Sequence, residues 1–259
     1  MNWRTTGILI FFGILLARSA PTQGAEENSR HCNSLDPDIR ISGCTAVIRS
    51  NQKSYNRALA FFNRGTAYFQ KHQFDRAVSD FNDVIRLTPD FAPAFDFRAR
   101  TYDALEKYDY AIEDYDHAIK LSPNSVNSIV GRGTTYHLKH EYDRAIQDYK
   151  EALRLQPENP SAHNNLADVY ATADDQQYRD PVEALKHAEK AVELDPTARH
   201  LDTLAEALYT NHRFREAVDV ETKAIALNPK DETLRSTLKN NMKRFTDALS
   251  EKPQPSPPH

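Results

Sequence analysis

Residues 61–89 read FFNRGTAYFQKHQFDRAVSDFNDVIRLTP, residues 95–123 FDFRARTYDALEKYDYAIEDYDHAIKLSP, and residues 129–157 IVGRGTTYHLKHEYDRAIQDYKEALRLQP. Stacked, they form columns: Gly65, Ala99 and Gly133; Tyr68, Tyr102 and Tyr136; Phe74, Tyr108 and Tyr142; Ala77, Ala111 and Ala145; Phe81, Tyr115 and Tyr149. Val84, Ala118 and Ala152 lead into Leu87, Leu121 and Leu155, and the closing residues Pro89, Pro123 and Pro157 fall 34 apart. A period of this length marks a solenoid.

Within each unit the apolar residues recur in steps of three and four and the pattern breaks near the middle, as in two helices joined by a turn. The small column lets the helices approach closely while the aromatic columns fill the space between them. Asp75, Asp109 and Asp143 stand where a cap for the second helix is expected, and the proline stops that helix from running on.

These residues resemble the tetratricopeptide repeat, a helix-turn-helix module of 34 residues. Two less regular units follow. One runs from His163 through Ala167, Tyr170, Ala184, Ala191 and Leu194 to Pro196, with its extra residues between Ala173 and Asp180. The other runs from Leu201 through Ala205, Leu208, Phe214, Ala217, Ala224 and Leu227 to Pro229. The resemblance implies an all-α fold, a right-handed superhelical solenoid of about five hairpins over 58–229. Its expected units are 58–91, 92–125, 126–159, 160–197 and 198–230. Where the family usually has glycine at the mid-hairpin turn, this chain has His72, Glu106, His140 and His212. A left-handed helix cap accounts for the histidines there without a metal or pH-sensing role.

Residues 1–24 read as a signal peptide: Arg4, then an apolar run of 11 residues from Gly7 to Ala17, then small and polar residues. The run is too short for a typical membrane span, and no other segment is apolar enough, so no integral span is expected. The chain should be exported, and periplasmic or secreted after cleavage. Cys32 and Cys44 are the only cysteines; an even, local pair in an exported chain favours a disulfide. Residues 25–57 then form an N-terminal segment whose half-repeat helix, 37–50, starts at Asp36-Pro37 and covers the first full repeat. Leu234, Leu238, Phe245 and Leu249 mark a C-terminal capping helix over 231–250, and 251–259 is a proline-rich tail expected to be disordered.

Arg64, Arg98 and Arg132 fill a column where the family usually has leucine; Asp80, Asp114 and Asp148 fill another 16 residues later. The columns change together, to Leu166 with His187 and to Leu204 with Val220. Each Arg is therefore expected to pair with an Asp, across its hairpin or between neighbouring hairpins.

Removing Arg4 and Arg18 with the signal takes the formal charge from −4 to −6, which offers nucleic acid no electrostatic footprint. The chain has seven glycines and lacks a phosphate-cradling Gly-rich loop, a zinc-protease His-Glu-x-x-His and a Gly-x-Ser-x-Gly elbow. No enzymatic activity, cofactor or metal is expected. The candidate site is a surface, because in the family the first helices of successive hairpins line a concave groove that binds peptides or partner helices. Spacing assigns to it Phe62, Thr66 and Phe69; Asp96, Arg100 and Asp103; Val130, Thr134 and His137; Asn164, Asp168 and Ala171; and Asp202, Glu206 and Tyr209. Family members that capture acidic C-terminal peptides use Lys, Arg and Asn on this face. The Lys and Arg pattern is missing here, so a neutral or basic extended segment is the expected ligand of a non-enzymatic scaffold in the cell envelope. The alternative is a structural subunit that self-associates through its open edges or caps as a homo-oligomer. The style of these repeats also resembles bacterial secreted repeat proteins.

Overall fold

A computed structural model describes residues 23–50 and 54–251. They form thirteen helices and, among the described residues, no strand. The helices are α1 (Gln23–Cys32), α2 (Pro37–Arg49), α3 (Ser54–Gln70), α4 (Phe74–Leu87), α5 (Ala92–Ala104), α6 (Tyr108–Leu121), α7 (Val126–Leu138), α8 (Tyr142–Leu155), α9 (Pro160–Thr172), α10 (Pro181–Leu194), α11 (Ala198–Thr210), α12 (Phe214–Ala226) and α13 (Glu232–Glu251). Each packs on its neighbours in sequence, so the five expected hairpins run from α3/α4 to α11/α12 and α13 covers the end. Residues 1–22 of the expected signal segment and the tail 252–259 lie outside the described residues, and Gln23 and Gly24 begin α1.

The periodic columns are the core. Phe81, Tyr115 and Tyr149 are fully buried, and Ala77, Ala111 and Ala145 lie beside them. The small column has the purpose its pattern suggested: a methyl group at Gly65 or Gly133 would lie 2.8 Å from the ring of Phe81 or Tyr149, closer than packed carbons tolerate. At the mid-hairpin turns His72, Glu106, His140 and His212 have φ of 56°, 57°, 59° and 60°. The amides of His72 and Gln73 donate back to the carbonyls of Phe69 and Tyr68, and the other three turns repeat the pattern. These are left-handed caps that satisfy the last carbonyls of the first helix.

That turn corrects one expectation. Asp75, Asp109 and Asp143 are not caps, because α4, α6 and α8 begin one residue earlier behind Gln73, Lys107 and Glu141, which make no side-chain capping bond. The amides of those three residues are already used to close the preceding helix, and the connection leaves no residue over. The aspartates sit in the first turn instead, where negative charge meets the positive helix end. Side-chain caps appear where the connections are longer: Asp36 accepts from the amides of Asp38 and Ile39, and Asp180 from those of Val182 and Glu183. The fourth-unit insertion forms a short 3-10 turn, Gln176–Tyr178, and folds back so that the Tyr178 hydroxyl donates to Asp143 at 2.8 Å.

The N-terminal segment holds more structure than its sequence suggested. Helix α1 packs antiparallel to α2, making a further hairpin in front of the first expected unit, and a disulfide joins Cys32 to Cys44 within it. A side chain at Gly43 would run into His31 and the backbone of Cys32, so the glycine is what lets the two helices meet.

The arginine and aspartate columns pair within each hairpin. Arg64, Arg98 and Arg132 each present Nε and Nη2 to both carboxylate oxygens of Asp80, Asp114 and Asp148, at 2.6–2.9 Å. The remaining Nη1 crosses to the preceding hairpin, reaching Thr45 Oγ1 at 3.0 Å, Asn82 Oδ1 at 2.6 Å and Asp116 Oδ1 at 2.5 Å. Burial pushes the Asp80 and Asp114 carboxyls up, against the pull of their arginines. Desolvation thus consumes much of what the pairing contributes. In the fourth hairpin this ladder ends, and His187 meets His163 with their Nδ1 atoms 2.8 Å apart. Burial and its imidazole neighbour lower the His187 pKa to about 4.

Candidate binding groove

First helices of successive hairpins touch one another, from α3·α5 through to α11·α13, while second helices approach one another less. The stack therefore curves with the first helices inside. Contact is most extensive between α9 and α11, where Ala167, Ala171 and Ala207 present small side chains.

The predicted lining residues divide into three groups along this inner face. At the N-terminal end Phe62 and Phe69 are half-buried and committed to packing. The Phe62 ring meets Phe91 and Phe97 edge-on, each with centroids 5.3 Å apart, and Phe69 lies against Phe74. Thr66 donates to the Asn63 carbonyl and lies within 3.5 Å of Arg40 from α2. Aromatic anchors read from spacing here contribute mainly to the core.

The middle group forms an open cleft of about 370 Å³ lined by Arg100, Asp103, Tyr115, Val130 and Thr134, with Asn127, Asn159 and Asn165. Asp96 lies behind it, buried, accepting from Ser128 Oγ at 2.8 Å and paired with Arg100 at 2.9 Å. Asp103 accepts from Thr135 and Tyr115 hydroxyls, and burial pushes its carboxyl up against those two bonds. Asn164 is buried with its Oδ1 unpartnered. The asparagines Asn127, Asn159 and Asn165 were not predicted; each offers both donor and acceptor, which suits a peptide backbone.

The third group gathers where α9, α11 and α13 meet. Asp168, Ala171, Asp202, Glu206 and Tyr209 line a cleft of about 430 Å³ together with Arg179, Asn241 and Arg244. Asn241 donates to Asp202 at 2.8 Å, and Arg244 pairs with Glu206 while its guanidinium stands 4.8 Å from the Tyr209 ring centroid. Tyr209 also stacks against Phe245, 5.0 Å between centroids, so the capping helix covers this aromatic. Asp168 bonds Thr172 and lies 3.9 Å from His137. Burial pushes the carboxyls of Asp168, Asp202 and Glu206 above their ordinary range.

Below this cleft lies Glu221, which sequence reasoning missed. It is fully buried against Asp202, to which its protonated carboxyl donates, and burial together with the Asp202 charge pushes its pKa up to about 8. A signal for it existed. Carried through the last two units, the column Phe81, Tyr115, Tyr149 continues as Ala188 and Glu221, placing a carboxylate where the core has rings. Extending helical spacing beyond the repeats would likewise have found Asn241 and Arg244. Among the described residues no group of three or more His, Cys, Asp or Glu side chains converges as metal ligands, and no helix is long and apolar enough to cross a membrane.

Hairpins stacked in register with their first helices on the inner face define an α-solenoid of helical repeats. The chain belongs to the tetratricopeptide repeat family: Tetratricopeptide repeat profiles match residues 53–91 and 92–125, and a TPR repeat profile matches 133–173. Similar solved structures include a thermophilic TPR protein of Thermus thermophilus, 22% identical, covering 74% of this chain and 99% of that one at a TM-score of 0.61. Another is a tetratricopeptide repeat protein of Parabacteroides merdae, 18% identical over 85% of this chain and 83% of that one at 0.66. MamA from Desulfovibrio magneticus is 17% identical over 71% and 99% at 0.56. At these identities the likeness is one of fold. No curated protein matches the chain. The family is generally one of non-catalytic, protein-binding scaffolds.

Proposed function

We propose that the protein is a non-enzymatic scaffold of the cell envelope that holds an extended protein segment along the inner face of its solenoid. The observation that carries this reading is the pair of open polar clefts on successive first helices, lined by side chains that can bond a backbone and by carboxylates that favour a neutral or basic ligand. Location in the envelope rests on the amino-terminal segment, with its basic residue and short apolar run, and a disulfide suits an oxidising compartment.

Photo-crosslinking in cells tests the groove. A crosslinker at Thr134, in the central cleft, should capture a partner that one at Glu113, exposed on α6, does not. Equal capture from both positions would overturn the reading. Because Phe62 and Tyr209 are packed, they are poorer crosslinking sites than their spacing suggested.

A further inference from the structure

We propose that the His163–His187 pair is an acid-operated latch in the fourth hairpin. It holds α10 against α9 while the two imidazoles share at most one extra proton, and it releases when both are charged. The latch goes beyond the groove reading and stands without it.

The proton count follows from the bonds. His163 Nε2 lies 2.9 Å from the Pro157 carbonyl, and a carbonyl only accepts, so that nitrogen carries a hydrogen. The Nδ1 atoms of the two rings are 2.8 Å apart, which requires one hydrogen between them. In the neutral pair that hydrogen belongs to His187, because His163 already holds its own on Nε2. His187 Nε2 is then bare, 3.6 Å from a Glu183 carboxylate oxygen. A first added proton goes to this nitrogen, facing Glu183, and every bond survives. A second has only the space between the Nδ1 atoms, where two N–H groups would meet head-on. The rings then part.

The surroundings oppose that second proton. The column Asn82, Asp116 continues as Lys150 on α8. Where the two preceding seams give an arginine its acceptor, this one presents a cation to the pair. Tyr170 on α9, with its ring centroid 6.3 Å from that of His187, and Glu183 and Lys186 on α10 are the other titratable groups beside it. His137 on α7 and Arg199 on α11 act on Asp168 instead. The opened hairpin takes up the second proton near the ordinary histidine value of 6.5, the closed one only at about 4. The hold is therefore complete above the first value and is lost as pH falls toward the second. Because α9 lines both clefts, through Asn165 and Asp168, release alters both.

Nitrogen-15 NMR of the histidine-labelled chain reads the latch directly. At pH 7 His163 should carry its hydrogen on Nε2 and His187 on Nδ1. Finding both on Nε2 would remove the bond between the rings and overturn the proposal. Amide exchange reads the release. From pH 7 to pH 5, protection corrected for intrinsic rates should fall about tenfold or more in α9 and α10 relative to α5 and α6. His187→Asn places an amide donor near the position of Nδ1 and takes up no proton, so its α9 and α10 should change less than about threefold. A tenfold fall in that variant as well, or no selective fall in the wild type, would sink the latch. If the variant fails to fold, the wild-type tautomers and exchange still decide.

Discussion

Glu221 sets an ionisable carboxyl in the core, against Asp202. Its ordinary pKa of 4.5 rises to about 8 on folding through burial and the charge of Asp202, so the folded chain holds a proton that the unfolded chain has lost over that interval. A state that holds more protons is disfavoured as pH rises, so this residue's contribution to stability falls between about pH 4.5 and 8. Glu221→Gln should leave urea-denaturation stability nearly unchanged at pH 5 and raise it by roughly 1–3 kcal/mol at pH 9. A gain of the same size at both pH values would show that ionisation is not the cause. His187 runs in the opposite sense. Its pKa falls to about 4, so its contribution is present above its unfolded value and is lost as pH falls toward 4.

At the scale of elements, the Arg98–Asp114 pair offers a direct energetic test. Both partners reach across one hairpin, and their side chains retain 19% and 3% exposure. Arg98→Leu should cost about 2–3 kcal/mol, because it strands a buried carboxylate. Arg98→Leu with Asp114→Val, the apolar solution used at Leu204 and Val220, should recover more than half of that loss in the same denaturation assay. A double variant no more stable than the single would refute coupling within the hairpin. The ten helices α3 to α12, their turns and this pairing were legible because one helical period repeats until chance columns vanish. Helix α1 was not, since QGAEENSRHC carries almost no apolar rhythm and depends on the close meeting at Gly43. The aspartate caps were misplaced because sequence spacing does not show which amides a left-handed turn has already used. In the groove, spacing placed the candidate residues on the first helices but could not tell a cleft-lining side chain such as Thr134 from a packed one such as Phe62.

For the whole molecule, stability is carried by neighbour-to-neighbour contacts, as expected of a solenoid. The capping helix is thus part of the C-terminal cleft as well as its end cover: it supplies Phe245, fully buried, together with Asn241 and Arg244. Ending the chain after Lys230 should shorten amide protection in α11 and α12 at least tenfold in hydrogen exchange while leaving α5 to α8 near wild-type levels. Equal loss throughout would mean that the solenoid unfolds as one cooperative block.

The third guanidinium nitrogen of each column arginine has a mechanical consequence. Arg64, Arg98 and Arg132 tie their own hairpin to the one before it, and no such strut continues at Leu166 or Leu204. Treated as a rod, the solenoid should be stiff against bending and torsion through its first three repeats and compliant beyond them. The cleft between α9, α11 and α13 lies in that compliant part, so its width should follow the bending of the rod more than that of the central cleft does.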